Sequence, residues 1–367
     1  MSSHTYAINP TEAGRAPGEP PLLEAKGISK SFPVRLGTFA RGAVSAVDDL
    51  WLTAEKGQTV GIVGESGCGK STAARLILGL IDCDEGEILF EGEDVNVIKT
   101  DTYNRRQLRR NLQMVFQDPY SSLNPRASIG ELIGFPMKVH AFPADEIGDR
   151  VGSLLESVGL HRNHAAYYPH QMSGGQRQRV NIARALALDP KLIVCDEAVS
   201  ALDKSVQAQV LELLRDQQAE HGFAYLFISH DLNVVEYVSD VVVVMYLGQV
   251  VEVCTSERLY EDPQHPYTKA LLDSVLTLSR RHEEPASKLE GEIPSPINPP
   301  SGCRFRTRCP HAMPICAEQR PAPVATEPGH TVSCHLYADG GQGPVTIDLS
   351  STDSESADSK STVRRAI

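Results

Sequence analysis

Residues 59 to 80 read TVGIVGESGCGKSTAARLILGL, and everything else about the fold follows from them. Thr59 to Val63 is an apolar run of the length of a buried strand. A glycine-rich turn follows, and Ser71 to Leu80 carries apolar residues along one face of a helix. Gly64, Gly69, Lys70 and Ser71 satisfy G-x4-G-K-[ST], the pattern of a phosphate-binding loop. The chemistry asks for these residue types. Glycines let successive backbone N–H groups curl around phosphate oxygens, the helix N-terminus adds its dipole, a lysine reaches the outer phosphates, and a hydroxyl ligates Mg2+. The contact segment therefore runs from Gly64 through Glu65, Ser66, Gly67, Cys68, Gly69, Lys70 and Ser71 to Thr72. Cys68 stands at an unspecified position of the pattern and reads as a small filler.

A phosphate loop alone leaves several chemistries open, and KLIVCDE (191–197) narrows them. It sets two carboxylates at the end of an apolar strand. Asp196 is placed to hold Mg2+ and Glu197 to orient or deprotonate an attacking water. Two acids after a strand are weak evidence alone, but QMSGGQRQRVNIARALALDP stands just upstream.

MSGGQRQR (172–179) resembles the signature motif of the ATP-binding-cassette family, and the family's other landmarks follow in its order. They are Gln117 in VFQDPYSSLNP, SALD (200–203) with Asp203, and His230 in YLFISHD. Phe32, in SKSFP, fits the aromatic expected to stack on adenine. The resemblance implies an α/β fold, the P-loop ATPase domain of that family with a helical subdomain. It implies that Gln117 and Asp196 join Ser71 at Mg2+, that Glu197 is the catalytic base, and that His230 stabilises the γ-phosphate. It also implies a sandwich of two ATP molecules between two such domains. Ser173, Gly174, Gly175 and Gln176 of one would then face the phosphate loop of the other. With one set of motifs, this chain must pair with a second copy or a paralogue, and a paralogue is expected.

Further stretches, VGESGCGKST, VMYLGQVVE and DPQHPYTKALL (262–272) among them, are similar to the ATP-binding subunits of dipeptide and oligopeptide importers. That resemblance spans about residues 22 to 337. It implies two membrane permease subunits as partners, an extracytoplasmic peptide-binding protein acting indirectly, and a peripheral position at the cytoplasmic face of the membrane. Nickel complexes, glutathione or short sugars are alternative cargoes. The chain departs from the pattern at Ala198, where proline is usual, and at Lys204, where a small apolar residue is common.

Four of the eight cysteines, Cys303, Cys309, Cys316 and Cys334, lie in SGCRFRTRCPHAMPIC and GHTVSCHLY at C-x5-C-x6-C-x17-C. In a reducing compartment such a cluster reads as metal ligands before disulfides. The ligand set fits a [4Fe–4S] cluster, which some of the resembled importers hold there, and also a zinc site, with metal-free thiols as a third reading. Pro299, Pro300 and Pro310 predict a site built from loops. Arg304, Arg306 and Arg308 alternate beside the cysteines and read either as a solvated edge or as partners for a thiolate-bound cluster or a paired subunit.

Lys plus Arg number 35 against 47 Asp plus Glu, a net charge of −12 that argues against a nucleic-acid partner. No apolar leader opens the chain, and the longest apolar run, VVVVMYL (241–247), is far short of a membrane span. The expected layout is a disordered tail over 1–20, an ATPase domain over 21–260 with its helical part at about 118–185, a four-cysteine extension over 261–337, and an acidic, serine-rich tail over 338–367. PVRLGTFARGAVS (33–45) reads as an insertion. Two rivals from other classes are a soluble cassette protein of ribosomes or DNA repair, and an iron- or redox-responsive binding module.

Overall fold

The structure is a computed structural model and describes residues 19–35, 41–274 and 291–338. Nearly all of both expected tails lies outside them. The chain opens with a long antiparallel hairpin, β1 (Leu23–Arg35) and β2 (Arg41–Ala54), in which Phe32 sits opposite Val44 and Pro33 opposite Ala43. Much of the stretch read as an insertion is therefore the far end of this hairpin. Pairing satisfies backbone groups that a free loop would leave to solvent.

β3 (Thr59–Val63) has the bounds predicted, and every residue of it is buried. The helix after it, α1 (Lys70–Ile77), begins one residue earlier than predicted and ends three earlier. Gly79 takes a left-handed φ of 61° just past its end, a conformation that stops helices where the apolar pattern alone would continue them. β4 (Glu85–Phe90) and the short β5 (Glu93–Asp94) complete an antiparallel sheet of order β2-β1-β4-β5. Two helices, α2 (Val95–Ile98) and α3 (Thr102–Asn111), lead to β6 (Leu112–Val115).

A helical layer follows: α4 (Ile129–Val139), α5 (Ala144–Ser157) and α6 (Gly174–Leu186). α4 and α6 each start with a capping box, Ser128 with Glu131 and Ser173 with Gln176. The chain then alternates through β7 (Leu192–Asp196), α7 (Lys204–His221), β8 (Ala224–Ile228), α8 (Leu232–Val238) and β9 (Val241–Tyr246). β10 (Gln249–Thr255), α9 (Ser256–Glu261) and α10 (Pro266–Asp273) come next. Last are α11 (Ile315–Glu318), β11 (Val324–Glu327) and β12 (His330–Val332).

The second sheet has the order β11-β12-β10-β9-β3-β8-β7-β6, parallel from β9 to β6 and antiparallel beyond β9. Four of its parallel strands, β9, β3, β8 and β7, are buried end to end, as strands covered on both faces must be. One core fills the space between the two sheets around α1. A second joins the helical layer to α7, and a third packs Val63 and Tyr246 against Tyr267 and Phe305 of the C-terminal segment. VVVVMYL is β9 and its turn, and no helix among the described residues is long and apolar enough to cross a membrane.

Candidate functional site: a phosphate loop and its carboxylates

β3 ends beneath a loop that only glycine can build. Gly64 and Gly69 have φ of 149° and 108°, and a Cβ on either would collide with a carbonyl oxygen, that of Met245 or Ala46. Lys70 is buried and folds back over the loop, its Nζ donating to Gly64 O at 2.6 Å and Glu65 O at 3.0 Å. An ammonium satisfied by two loop carbonyls is poised to exchange them for phosphate oxygens. Ser66 and Gly67 are exposed at the tip, while Ser71 and Thr72 lie half-buried in the first turn of α1. Cys68 is buried beneath the loop, its carbonyl accepting from Gly248 N at 2.8 Å.

The strand ends bring the acids to this loop. Ser71 Oγ donates to Asp196 Oδ1 at 3.0 Å, across 125 residues of sequence. Burial pushes the Asp196 carboxyl up, the Ser71 bond opposes it, and the charge of Glu197 adds to the rise. A cation at this point would relieve that strain. Glu197 adopts a left-handed φ of 49°, which costs a non-glycine residue about 1 kcal/mol, and such outliers gather at functional sites. The bend turns its carboxylate to Gln117 Nε2, which donates to Oε2 at 2.8 Å, and to His230 Nδ1, 3.3 Å from Oε1. Lys70, Ser71, Gln117, Asp196, Glu197 and His230, named separately from sequence, form one continuous cluster.

The other expected residues lie elsewhere on the chain. Phe32 is partly exposed on β1, opposite a residue two positions from Ala46, so it belongs to the hairpin that borders the phosphate loop. Ser173 caps α6 by accepting from Gln176 N at 3.3 Å, and Gln176 Oε1 accepts from Ser173 N in return. Gly174 has open space beside it, and Gly175 packs on Val206 of α7. Asp203 caps α7, accepting from Val206 N at 3.0 Å. The capping bonds of Ser173, Gln176 and Asp203 are local to their own helices. Of the departures from pattern, Ala198 is buried, and Lys204 pairs with Asp231, next to His230, at 2.7 Å.

Cys303, Cys309, Cys316 and Cys334 are all free thiols and line one small cavity, together with His265 and Phe305. α11 carries Cys316, and the other three lie outside helix and strand, with Cys303 N donating to Cys316 O at 2.8 Å. Burial pushes the Cys303 and Cys334 thiols up to about 11, and the neighbouring cysteines add to it. His265 Nδ1 accepts from Tyr267 N at 3.0 Å, so Nε2 carries the ring proton, and that N–H is buried without a partner. Arg308 Nε, one residue from Cys309, is a second buried donor without one. The orphaned donor of His265, which lines the cavity with the four thiols, fits an anionic group there. The only trio of His, Cys, Asp or Glu ligand atoms within 4.8 Å among the described residues is Glu252, Cys254 and His330. It is a hydrogen-bond hub, because the Glu252 oxygens already accept from Gln264 N, His265 N and His330 Nε2.

Two of the three arginines beside the cysteines, Arg304 and Arg308, do not lie on a solvated edge. Arg306 is half-buried and bonds Ser301, and Arg304 and Arg308 turn inward, their side chains 10% and 4% exposed. Arg304 pairs with Asp48 at 2.5 Å and also donates to Leu247 O. Arg308 grips Glu65 with both terminal nitrogens, at 2.7 and 3.0 Å. Sequence reasoning missed this pair, 243 residues apart, because no spacing rule reaches that far.

A family model described as ABC transporter matches residues 47–200, and one described as oligopeptide/dipeptide transporter, C-terminal region, matches 251–316. The oligopeptide transport ATP-binding protein AppF of Bacillus subtilis is 50% identical over 322 residues, 86% of this chain and 98% of that protein. The dipeptide transport ATP-binding protein DppF of Haemophilus influenzae is 46% identical over 316 residues, 86% of this chain and 96% of that one. Among solved structures, the ATP-binding cassette MJ0796, a dimer in a post-hydrolysis state with ADP and Pi, matches with a TM-score of 0.56 at 28% identity. That match covers 64% of this chain and 98% of that one.

Proposed function

Because this chain belongs to the ABC transporter family, among its oligopeptide and dipeptide transport ATP-binding proteins, we propose that its ATP hydrolysis drives uptake of short peptides. The observation that carries the chemistry is the meeting of Gln117, Asp196, Glu197 and His230 at the mouth of the phosphate loop.

Lys70 gives up the carbonyls of Gly64 and Glu65 for the β and γ phosphates. Ser71 and Asp196 hold Mg2+ with Gln117, whose Nε2 is committed to Glu197 and whose Oε1 is left for the ion. Bound Mg2+ neutralises phosphate charge and fixes the geometry of the oxygens. Glu197 takes a proton from the attacking water as its oxygen bonds to the γ-phosphorus and the bond to the β-phosphate oxygen breaks. His230 stabilises the γ-phosphate from the other side of the same carboxylate. Phe32 stacks on the adenine.

Ser173, Gly174, Gly175, Gln176 and Asp203 complete the site of a second ATPase subunit, a paralogue, and the two chains exchange these groups. ATP that prefers the closed pair suffices to couple binding to movement of the permeases. Two permease subunits dock on the helical layer, where Phe116, Tyr120 and Phe135 are exposed. The binding protein on the far side acts through them, and this subunit sits at the cytoplasmic face of the membrane.

The four cysteines hold a [4Fe–4S] cluster. Zinc fits less well, since Zn–S bonds of about 2.3 Å would draw the sulfurs to about 3.8 Å apart, and these four form no group within 4.8 Å. When bound, the cluster supplies a rigid cross-link and negative charge to a loop with little core of its own. Iron and acid-labile sulfide at about four each per chain, lost in Cys309→Ser, is the expected analysis. Zinc, or no metal, overturns the cluster and leaves the ATPase intact. For the whole reading, the test is ATP-dependent peptide uptake in cells lacking the subunit, with co-purification of the permeases. Ribosomes or DNA in their place would point to the soluble rival.

A further inference from the structure

Residues of four stretches far apart in the chain meet around Glu65. Glu65 comes from VGESGCGKST, Tyr267 from DPQHPYTKALL, Tyr246 from VMYLGQVVE and Arg308 from the cysteine loop. Every polar group of Glu65 is engaged. Its carboxylate takes both terminal nitrogens of Arg308, its N–H donates to Tyr267 Oη at 2.9 Å, and its carbonyl accepts from Lys70.

Behind these bonds lies a continuous packed path to the cysteines. Tyr246 and Tyr267 have ring centroids 4.7 Å apart, each lies within 5.4 Å of Phe305, and Phe305 lines the thiol cavity with His265, 5.8 Å away. The far end of the phosphate loop is braced from the same source. Arg304 holds Leu247 O and Asp48, and the next residue, Gly248, donates its N–H to Cys68 O. The cysteine loop thus grips the phosphate loop at both ends, next to Lys70.

We propose that Arg308 is a positioning residue for the ATP phosphates, through which the conformation of the four-cysteine loop and occupancy of the nucleotide site are coupled. A bidentate guanidinium on a half-buried carboxylate fixes direction as well as distance. If the cysteine loop loosens, Glu65 loses its anchor, its carbonyl moves, and Lys70 is no longer held where the phosphates must arrive. Coupling of binding free energies is reciprocal, so ATP must tighten the cysteine loop by the factor by which the loop tightens ATP. The inference rests on nucleotide binding at the phosphate loop and is independent of which metal the cysteines hold.

Hydrogen exchange on the wild-type full chain, with and without MgATP, tests it without a variant. Amides of residues 303–309 should slow together with those of 64–72. Protection of the phosphate loop with no change at 303–309 would overturn the coupling alone, whereas no protection of the phosphate loop would overturn the nucleotide site and the coupling with it. Titration with MgATP then reads the positioning role. Arg308→Ala should weaken Kd by about tenfold and uncouple the two segments, with partial recovery in Arg308→Lys. A Kd within about twofold of wild type in Arg308→Ala, still coupled, would overturn it.

Discussion

Gln117 Nε2 donates to Glu197 Oε2 at 2.8 Å, joining the edge of the helical layer to the acid at the end of β7. Removing the acid while keeping this bond is the cleanest test of its role. Glu197→Gln should lower ATP turnover by at least about a hundredfold, with MgATP affinity retained. Turnover near wild type, measured as phosphate release, would remove Glu197 from that role.

Lys70 is a buried cation that touches the loop's own carbonyls. Lys70→Ala should abolish measurable MgATP binding at micromolar nucleotide in calorimetry while the chain stays folded by circular dichroism. Tight binding by that variant would sink the phosphate-loop assignment.

Ser173 serves its own helix and, in the proposed pair, the nucleotide of a partner. Ser173→Ala should cost about 1 kcal/mol of stability through the lost cap. It should also abolish ATP-driven pairing in a Glu197→Gln background, read by sedimentation velocity with the partner subunit. A variant that pays the stability cost yet pairs normally would confine Ser173 to capping.

Glu252 predicts an acid limit. Burial alone would push its carboxyl up, but hydrogen bonds from His330 and from the N–H groups of Gln264 and His265 outweigh burial and hold it below the usual range. Its folded pKa lies below an unfolded value of about 4.3. The stabilisation is therefore whole above that value and fades as pH falls through the folded one. Thermal melts from pH 7 to 3 should show this fall in the wild type. Glu252→Gln should melt lower at pH 7 and show a shallower acid decline. An unchanged melting temperature at pH 7 would contradict the hub.

Local signals made most of the candidate site legible. The glycine spacing fixed the phosphate loop, an apolar run fixed β3 to the residue, and acids at strand ends located Asp196 and Glu197. What stayed hidden depends on tertiary contact. The left-handed turn at Gly79 ended α1 inside an unbroken apolar pattern, and residues 33–35 and 41–45 of the stretch read as an insertion are strand because each side has the other to pair with. The inward turn of Arg304 and Arg308 needed Asp48 and Glu65, residues no periodicity connects to them. Alternating arginines look the same in sequence whether they face water or carboxylates.

β12 lies along β10 and carries β11 outside it, with Glu252 opposite Val332 and Val253 opposite Thr331. The last described segment is thus woven into the main sheet, and it shields a strand that would otherwise end the sheet with its backbone groups open. A chain cut after α10, however natural that looks as a minimal catalytic fragment, would bare QVVEVCT as an apolar edge ready to pair with its neighbours. Such a fragment should precipitate or form extended aggregates rather than behave as a simpler enzyme.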